Sequence, residues 1–161
     1  MDNTIAYAIL NKRTEFCYIM KKDVVIRIRG CQYVDGEKGV TDMTTIGRLE
    51  SIDGGYALSY SESEDSGMGD CRMELKVNSD ESVVLTRTGE YNSQMVLEKG
   101  VRNLCHYKTP YGDVVFGIFA SRVAAAKNGD CGRIKLGYTI DINNDVASTN
   151  EIDISFRSRG N

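Results

Sequence analysis

The chain has 161 residues, 41% apolar and 27% charged, with a formal net charge of −3 at pH 7. That is the size of one domain with its own hydrophobic core. The acidic balance and the lack of a basic run argue against binding to nucleic acid or to an anionic membrane surface.

Near the N-terminus, "TIAYAIL" is the one continuous apolar run. It is too short to span a bilayer, follows Asp2 and has no basic stretch before it. Met20 followed by Lys21 and Lys22 reads as a second start, so residues 1–19 are expected to be an extension and 20–161 the folded domain. From there the signal is period two. In "DVVIRIRG" Val24, Ile26 and Ile28 share one face, with Arg27 and Arg29 on the other. Further strands are expected near 41–51 and 56–62, then in "RMELKV", where Met73, Leu75 and Val77 oppose Glu74 and Lys76. Others follow near 82–88, 93–98, 102–108 and 113–121. "RIKLGYTIDI" sets Ile134, Leu136, Tyr138, Ile140 and Ile142 against Lys135, Thr139 and Asp141. "EIDISF" closes the series with Ile152, Ile154 and Phe156 against Asp153 and Ser155.

The breaks between these runs, "VDGEKG", "IDGG", "SEDSGMGD", "KNGD" and "INND", supply the Gly and Asn that sharp reversals need. "SRVAAAK" is the only piece that leans towards a helix. About ten short strands at this spacing indicate an all-β fold. Closing the sheet removes its exposed edges. The expectation is therefore a single antiparallel closed or nearly closed β-barrel of about eight to ten strands, with a two-sheet sandwich as the alternative.

Residues that break the face rule are the candidates for function. Arg87 shares a face with Val83 and Leu85, and Glu62 with Tyr56, Leu58 and Tyr60. A lone buried charge is costly, so the two are expected to pair, near a barrel mouth or inside a cavity. Tyr60 and Tyr138 add hydroxyls to the same interior. The single histidine, His106, and the single proline, Pro110, lie in "LCHYKTPYGDVVFGIF". His106 titrates near neutrality, but it has no nucleophile or carboxylate constellation beside it. Pro110 and Gly112 make "KTPYGD" a hairpin connection instead, and no catalytic residue is assigned.

The five cysteines, Cys17, Cys31, Cys71, Cys105 and Cys131, are odd in number and include no CxxC pair. They read as free thiols in a reducing cytoplasm, not as a metal site or a disulfide framework. "SESED", with Glu62, Glu64 and Asp65, lacks the alternation of a cation-binding loop and reads as a solvated loop. No nucleotide, serine-hydrolase or zinc-protease motif is present, so neither cofactor nor metal is expected.

An ordered set of short motifs adds to this reading: Tyr60-x-Glu62, Arg87-x-Gly89, Tyr107-x-Thr109-Pro110-Tyr111-Gly112, and Gly132-x-Ile134-x-Leu136-x-Tyr138. Over about residues 22–157 the chain resembles the YwiB-like family of uncharacterised bacterial proteins, a domain-of-unknown-function family. The resemblance implies a calycin-type barrel, similar in build to lipocalins and fatty-acid-binding proteins, and no established reaction. The matching positions are Tyr60, Glu62, Arg87, Gly89, Tyr107, Thr109, Pro110, Gly112 and Tyr138. Residues 1–19 have no counterpart.

The expected function is non-catalytic binding of a small, partly apolar molecule in a cytoplasmic barrel. Its polar end would meet Arg87, with Glu62, Tyr60, Tyr107, Tyr138 and Thr109 lining or supporting the site. Two alternatives stay open: an enzyme using Glu62 as acid or base, and a filled barrel that works through an exposed apolar patch. Interior volume separates the binding barrel from the filled one. The sequence leaves the oligomeric state open.

Overall fold

The computed structural model describes residues 21–62 and 70–160. The expected extension at 1–19, Cys17, and the Glu64 and Asp65 of the acidic run lie outside the described residues. The strands are β1 (Lys21–Val34), β2 (Glu37–Ile52), β3 (Gly55–Glu62), β4 (Cys71–Val77) and β5 (Val83–Gly89). They continue as β6 (Asn92–Leu97), β7 (Arg102–Thr109), β8 (Gly112–Asn128), β9 (Cys131–Ile142) and β10 (Asp145–Ser158). Each pairs antiparallel with the next, and β1 pairs with β10, which closes the barrel. The closed barrel, not the sandwich, is the fold.

Alternation placed most side chains on the correct face, although Asp141, expected on the wet face, is only 7% exposed beneath two hydrogen bonds from Arg102. Val24, Ile26, Leu58, Val83, Leu97, Ile134 and Leu136 are fully shielded, and Ile154 and Phe156 are nearly so. Arg27, Arg29 and Arg133 lie on the outside. Arg27 donates two hydrogen bonds to Asp42, and Arg133 two to Asp153, across neighbouring strands. The hairpins turn where Asn and Gly occur: φ is 51° and 80° at Asp35–Gly36 and 52° and 70° at Asn143–Asn144. Two successive positive φ values match the twist of the flanking strands.

Three expectations need correction. "SRVAAAK" is not a helix but the outer half of the 17-residue β8. There Ala124, Ala125 and Ala126 pair with Lys135, Ile134 and Arg133 of β9. A two-turn helix is marginal by itself, and the hairpin ladder overrides its propensity. The strands are not uniformly short either, since β1, β2, β8 and β10 have 14, 16, 17 and 14 residues. Ile142, expected inside, is 42% exposed because it lies at the end of β9 beside the Asn143–Asn144 turn.

One seam is thin. β6 and β7 share two register pairs, Asn92 with Lys108 and Ser93 with Tyr107. Beyond them a side chain substitutes for the backbone ladder, as Asn103 Nδ2 donates to the Val96 carbonyl at 3.1 Å. Among the described residues no helix is long and apolar enough to cross a membrane.

The connectivity sorts the connections into two groups. Those after β2, β4, β6 and β8 lie at one end, and those after β1, β3, β5, β7 and β9 at the other. At the first end the interior is filled by packed aliphatic side chains, with Phe156 against Tyr56 at a ring separation of 5.7 Å. Lys127 lies over the Tyr56 ring, 5.7 Å from its centroid, and donates to the Gly129 carbonyl.

Candidate functional site

The second end is where the interior turns polar, and strand register shows how. Cross-strand partners place Tyr60, Met73, Arg87, Ser93 and Tyr107 in one continuous inner row across β3 to β7. The next row towards the mouth holds Glu62, Cys71 and Gly89. Arg87 therefore lies diagonally from Glu62, within reach of a long side chain. Its Nη1 donates to Glu62 Oε2 at 2.9 Å and to Cys71 Sγ at 3.1 Å, while Cys71 Sγ lies 3.6 Å from the same carboxylate oxygen. The expected Arg87–Glu62 pair is present, with side-chain exposures of 17% and 15%. Gly89 permits this approach: a Cβ there would stand 2.9 Å from that of Cys71 and 2.7 Å from the Asp70 carbonyl oxygen.

Burial would by itself lower the Arg87 pKa, but the charge and hydrogen bond of Glu62 outweigh it and raise it. The guanidinium stays charged. Burial, reinforced by Glu62, holds the Tyr60 phenol well above its usual value. The Tyr138 phenol is pushed by burial up to about 12, and burial also raises the Tyr107 phenol and the Cys71 thiol. At neutral pH these are protonated donors around a fixed, neutralised ion pair.

The inner rows enclose a cavity of about 600 Å³. Arg87, Glu62, Tyr60 and Tyr138 line it, as do Met43, Met73, Met95, Leu75, Leu85 and Ile152. Four of the six expected site residues thus meet at one space. Tyr107 stands beside it in the Arg87 row, held against Tyr91 and Phe116 at ring separations of 6.1 and 5.7 Å. Thr109 lies farther out, at the β7–β8 turn. Its hydroxyl donates to the Gly112 carbonyl at 2.8 Å and accepts from the Tyr111 amide at 3.1 Å. His106 sits exposed on the outer face of β7, opposite Val115. Pro110 and Tyr111 form the turn between β7 and β8.

Sequence reasoning missed three residues here. Cys71 has the parity of Met73 and Leu75, and extending the β4 alternation one step back would have placed it inside. Ser148 and Asn150 are each 6% exposed and share the parity of Ile152 and Ile154. The alternation of "EIDISF" starts at residue 151 and does not reach them, whereas β10 begins at Asp145. Asn150 Nδ2 donates to Ser148 Oγ at 2.9 Å.

The chain belongs to the family described as "Domain of unknown function (DUF1934)", which matches residues 26–154. Its structure is similar to one described as "Crystal structure of ywiB protein from Bacillus subtilis". The TM-score is 0.78 at 18% sequence identity, covering 88% of this chain and 96% of that one. This likeness concerns the barrel fold. No curated protein matches the sequence.

Proposed function

We propose that the polar end of the barrel binds a small, partly apolar molecule, with a carbonyl or anionic group of that molecule on Arg87. The observation that carries this reading is the 600 Å³ cavity that opens onto the Arg87–Glu62 pair. Ligand sites are concave, mostly apolar and furnished with a few oriented polar groups, and this cavity has that composition. Among the described residues both contacts of the guanidinium use Nη1, so Nε and Nη2 are available to a ligand in a planar fork. Methionine side chains adapt to irregular apolar shapes, and Met43, Met73 and Met95 form much of the apolar wall. The interior space favours binding over the alternative of a filled barrel.

On this reading the protein is a calycin-type binding barrel of the bacterial cytoplasm. Cys31, Cys71, Cys105 and Cys131 are free thiols, which is in keeping with a reducing compartment. Tyr60, Tyr107 and Tyr138 shape the polar end, Glu62 holds Arg87 in place, and Thr109 stands at the rim.

Native against denaturing mass spectrometry of the protein purified from a bacterial host tests the proposal. The expected result is a non-covalent adduct that disappears on denaturation. It should also disappear in Arg87→Leu, and in Met73→Trp, which fills the cavity, while circular dichroism shows the barrel intact. A bare native mass, or an adduct retained by both variants, would overturn it.

A further inference from the structure

The wall that faces Arg87 carries a second set of polar groups. In the strand order around the barrel, β10 and β5 are five positions apart out of ten and therefore lie across from one another. On the inner face of this far wall, Tyr138 of β9 and Asn150 of β10 are register partners. They are 7% and 6% exposed, and both line the cavity. Asn150 gives one amide hydrogen to Ser148 Oγ, which fixes the plane of the carboxamide. That leaves its carbonyl oxygen and its second N–H without a partner among the described residues. The Tyr138 hydroxyl likewise has no partner among them. Polar groups of nearly buried residues that stay open towards a cavity are groups a ligand can satisfy.

The charges matter as well. Of the charged residues that line the cavity, Arg87 and Glu62 have inward parity and neutralise each other, while Glu74 and Glu151 have the outward parity of their strands. A carboxylate ligand on Arg87 would also meet the Glu62 carboxylate, whereas a neutral carbonyl meets the guanidinium without that repulsion. One row deeper on the same two walls lie Leu85 of β5 and Ile152 of β10, and Leu75, Met43, Met73 and Met95 complete the apolar lining.

We infer that Tyr138 and Asn150, with Ser148 holding the amide, form a second polar subsite across the cavity from Arg87. It takes a neutral hydroxyl or amide group, so the ligand is uncharged, polar at two ends and apolar between them. This inference rests on the binding reading above and narrows its substrate class. Asn150 is then a specificity residue, because an amide that both donates and accepts matches a hydroxyl and is left unpaired by a methyl group.

Calorimetric titration of the full chain with octanamide and 8-hydroxyoctanamide tests the subsite. Wild type should bind the hydroxy compound about tenfold more tightly, which is the size expected of one well-placed neutral hydrogen-bonded group. Tyr138→Phe, which deletes a single oxygen, and Asn150→Leu should each reduce that preference towards unity. Equal binding of the two amides by wild type overturns the second subsite, and so does a preference that survives both substitutions. If octanamide binding is then abolished by Arg87→Leu, the cavity reading stands without the subsite. Failure of both amides to bind overturns the uncharged, two-ended ligand, and the binding reading then stands or falls on the native-mass adduct.

Discussion

At the end of the barrel that holds the connections after β2, β4, β6 and β8, Val24, Ile26, Val83, Leu97 and Ile134 have no appreciable exposure. At the opposite end the same strands carry half-buried Met43, Met73 and Met95 around open space, with Arg87, Glu62, Tyr138 and Asn150 among them. The backbone barely distinguishes the two ends, since one closed antiparallel ladder runs through both. Side-chain volume and polarity make the difference. Branched aliphatic groups interdigitate and fill one end, while flexible thioethers and paired polar groups leave room at the other. A barrel can thus keep its stability and its cavity in separate layers, and substitutions in one layer should scarcely disturb the other.

The strongest test of that separation is to remove the same kind of mass at both ends. Phe156→Ala, in the filled end against Tyr56, should cost about 3–5 kcal/mol, the range for truncating a large core side chain. Met95→Ala, on the cavity wall, should cost only about 1 kcal/mol, because few packed neighbours are lost where space already exists. Urea unfolding monitored by circular dichroism reads both values. Equal costs at the two sites would mean that the polar end is packed in solution, and the contrast between the ends would collapse.

A smaller effect is expected at the ion pair. Glu62→Gln leaves the Arg87 guanidinium shielded and without its neutralising partner. Breaking a fully buried pair costs about 3–5 kcal/mol. Here the pair borders the cavity, so about 2 kcal/mol is expected, with the missing solvation supplied by cavity water. The double variant Glu62→Leu/Arg87→Met should recover most of that loss, since two apolar groups need no partner. A double-mutant cycle on unfolding free energies checks this. Additive losses would show that the two side chains contribute independently and that no coupling holds them as a pair.

Much of this contrast could be read from the chain. Strict alternation in β1, β4, β9 and β10 fixed which side chains face inward, because one buried face tolerates no slip of register. Arg87 and Glu62 stood out as charges on that inward face, and their mutual pairing followed from the cost of leaving either one alone. Strand ends were less legible. Ser148 and Asn150 lie in a polar run, "STNE", whose inward parity appears only when the β10 alternation is carried back from Ile152. A bulge between Val146 and Ser148 then breaks the count. The alanines of "SRVAAAK" gave the opposite error: their propensity is helical, and only pairing with β9 makes them a strand. Cavity volume depends on how the inner side chains pack around the whole ring, and no single strand encodes it.

Thr109 marks the smallest and finest distinction. Its motif associated it with the polar end, yet both hydrogen bonds of its hydroxyl are local: one to the Gly112 carbonyl and one from the Tyr111 amide. Thr109→Val keeps the branched shape and deletes both bonds at an exposed hairpin. Water can take over the freed backbone groups there, so the loss should be about 1 kcal/mol, the net value of ordinary hydrogen bonds. If Thr109 acts only through the turn, octanamide affinity should be unchanged in this variant while the urea midpoint falls. If affinity falls instead and the midpoint holds, Thr109 belongs to the cavity lining. The polar end would then extend outward past the Arg87 row to the β7–β8 hairpin, and the boundary between the two layers would have to be redrawn at the rim.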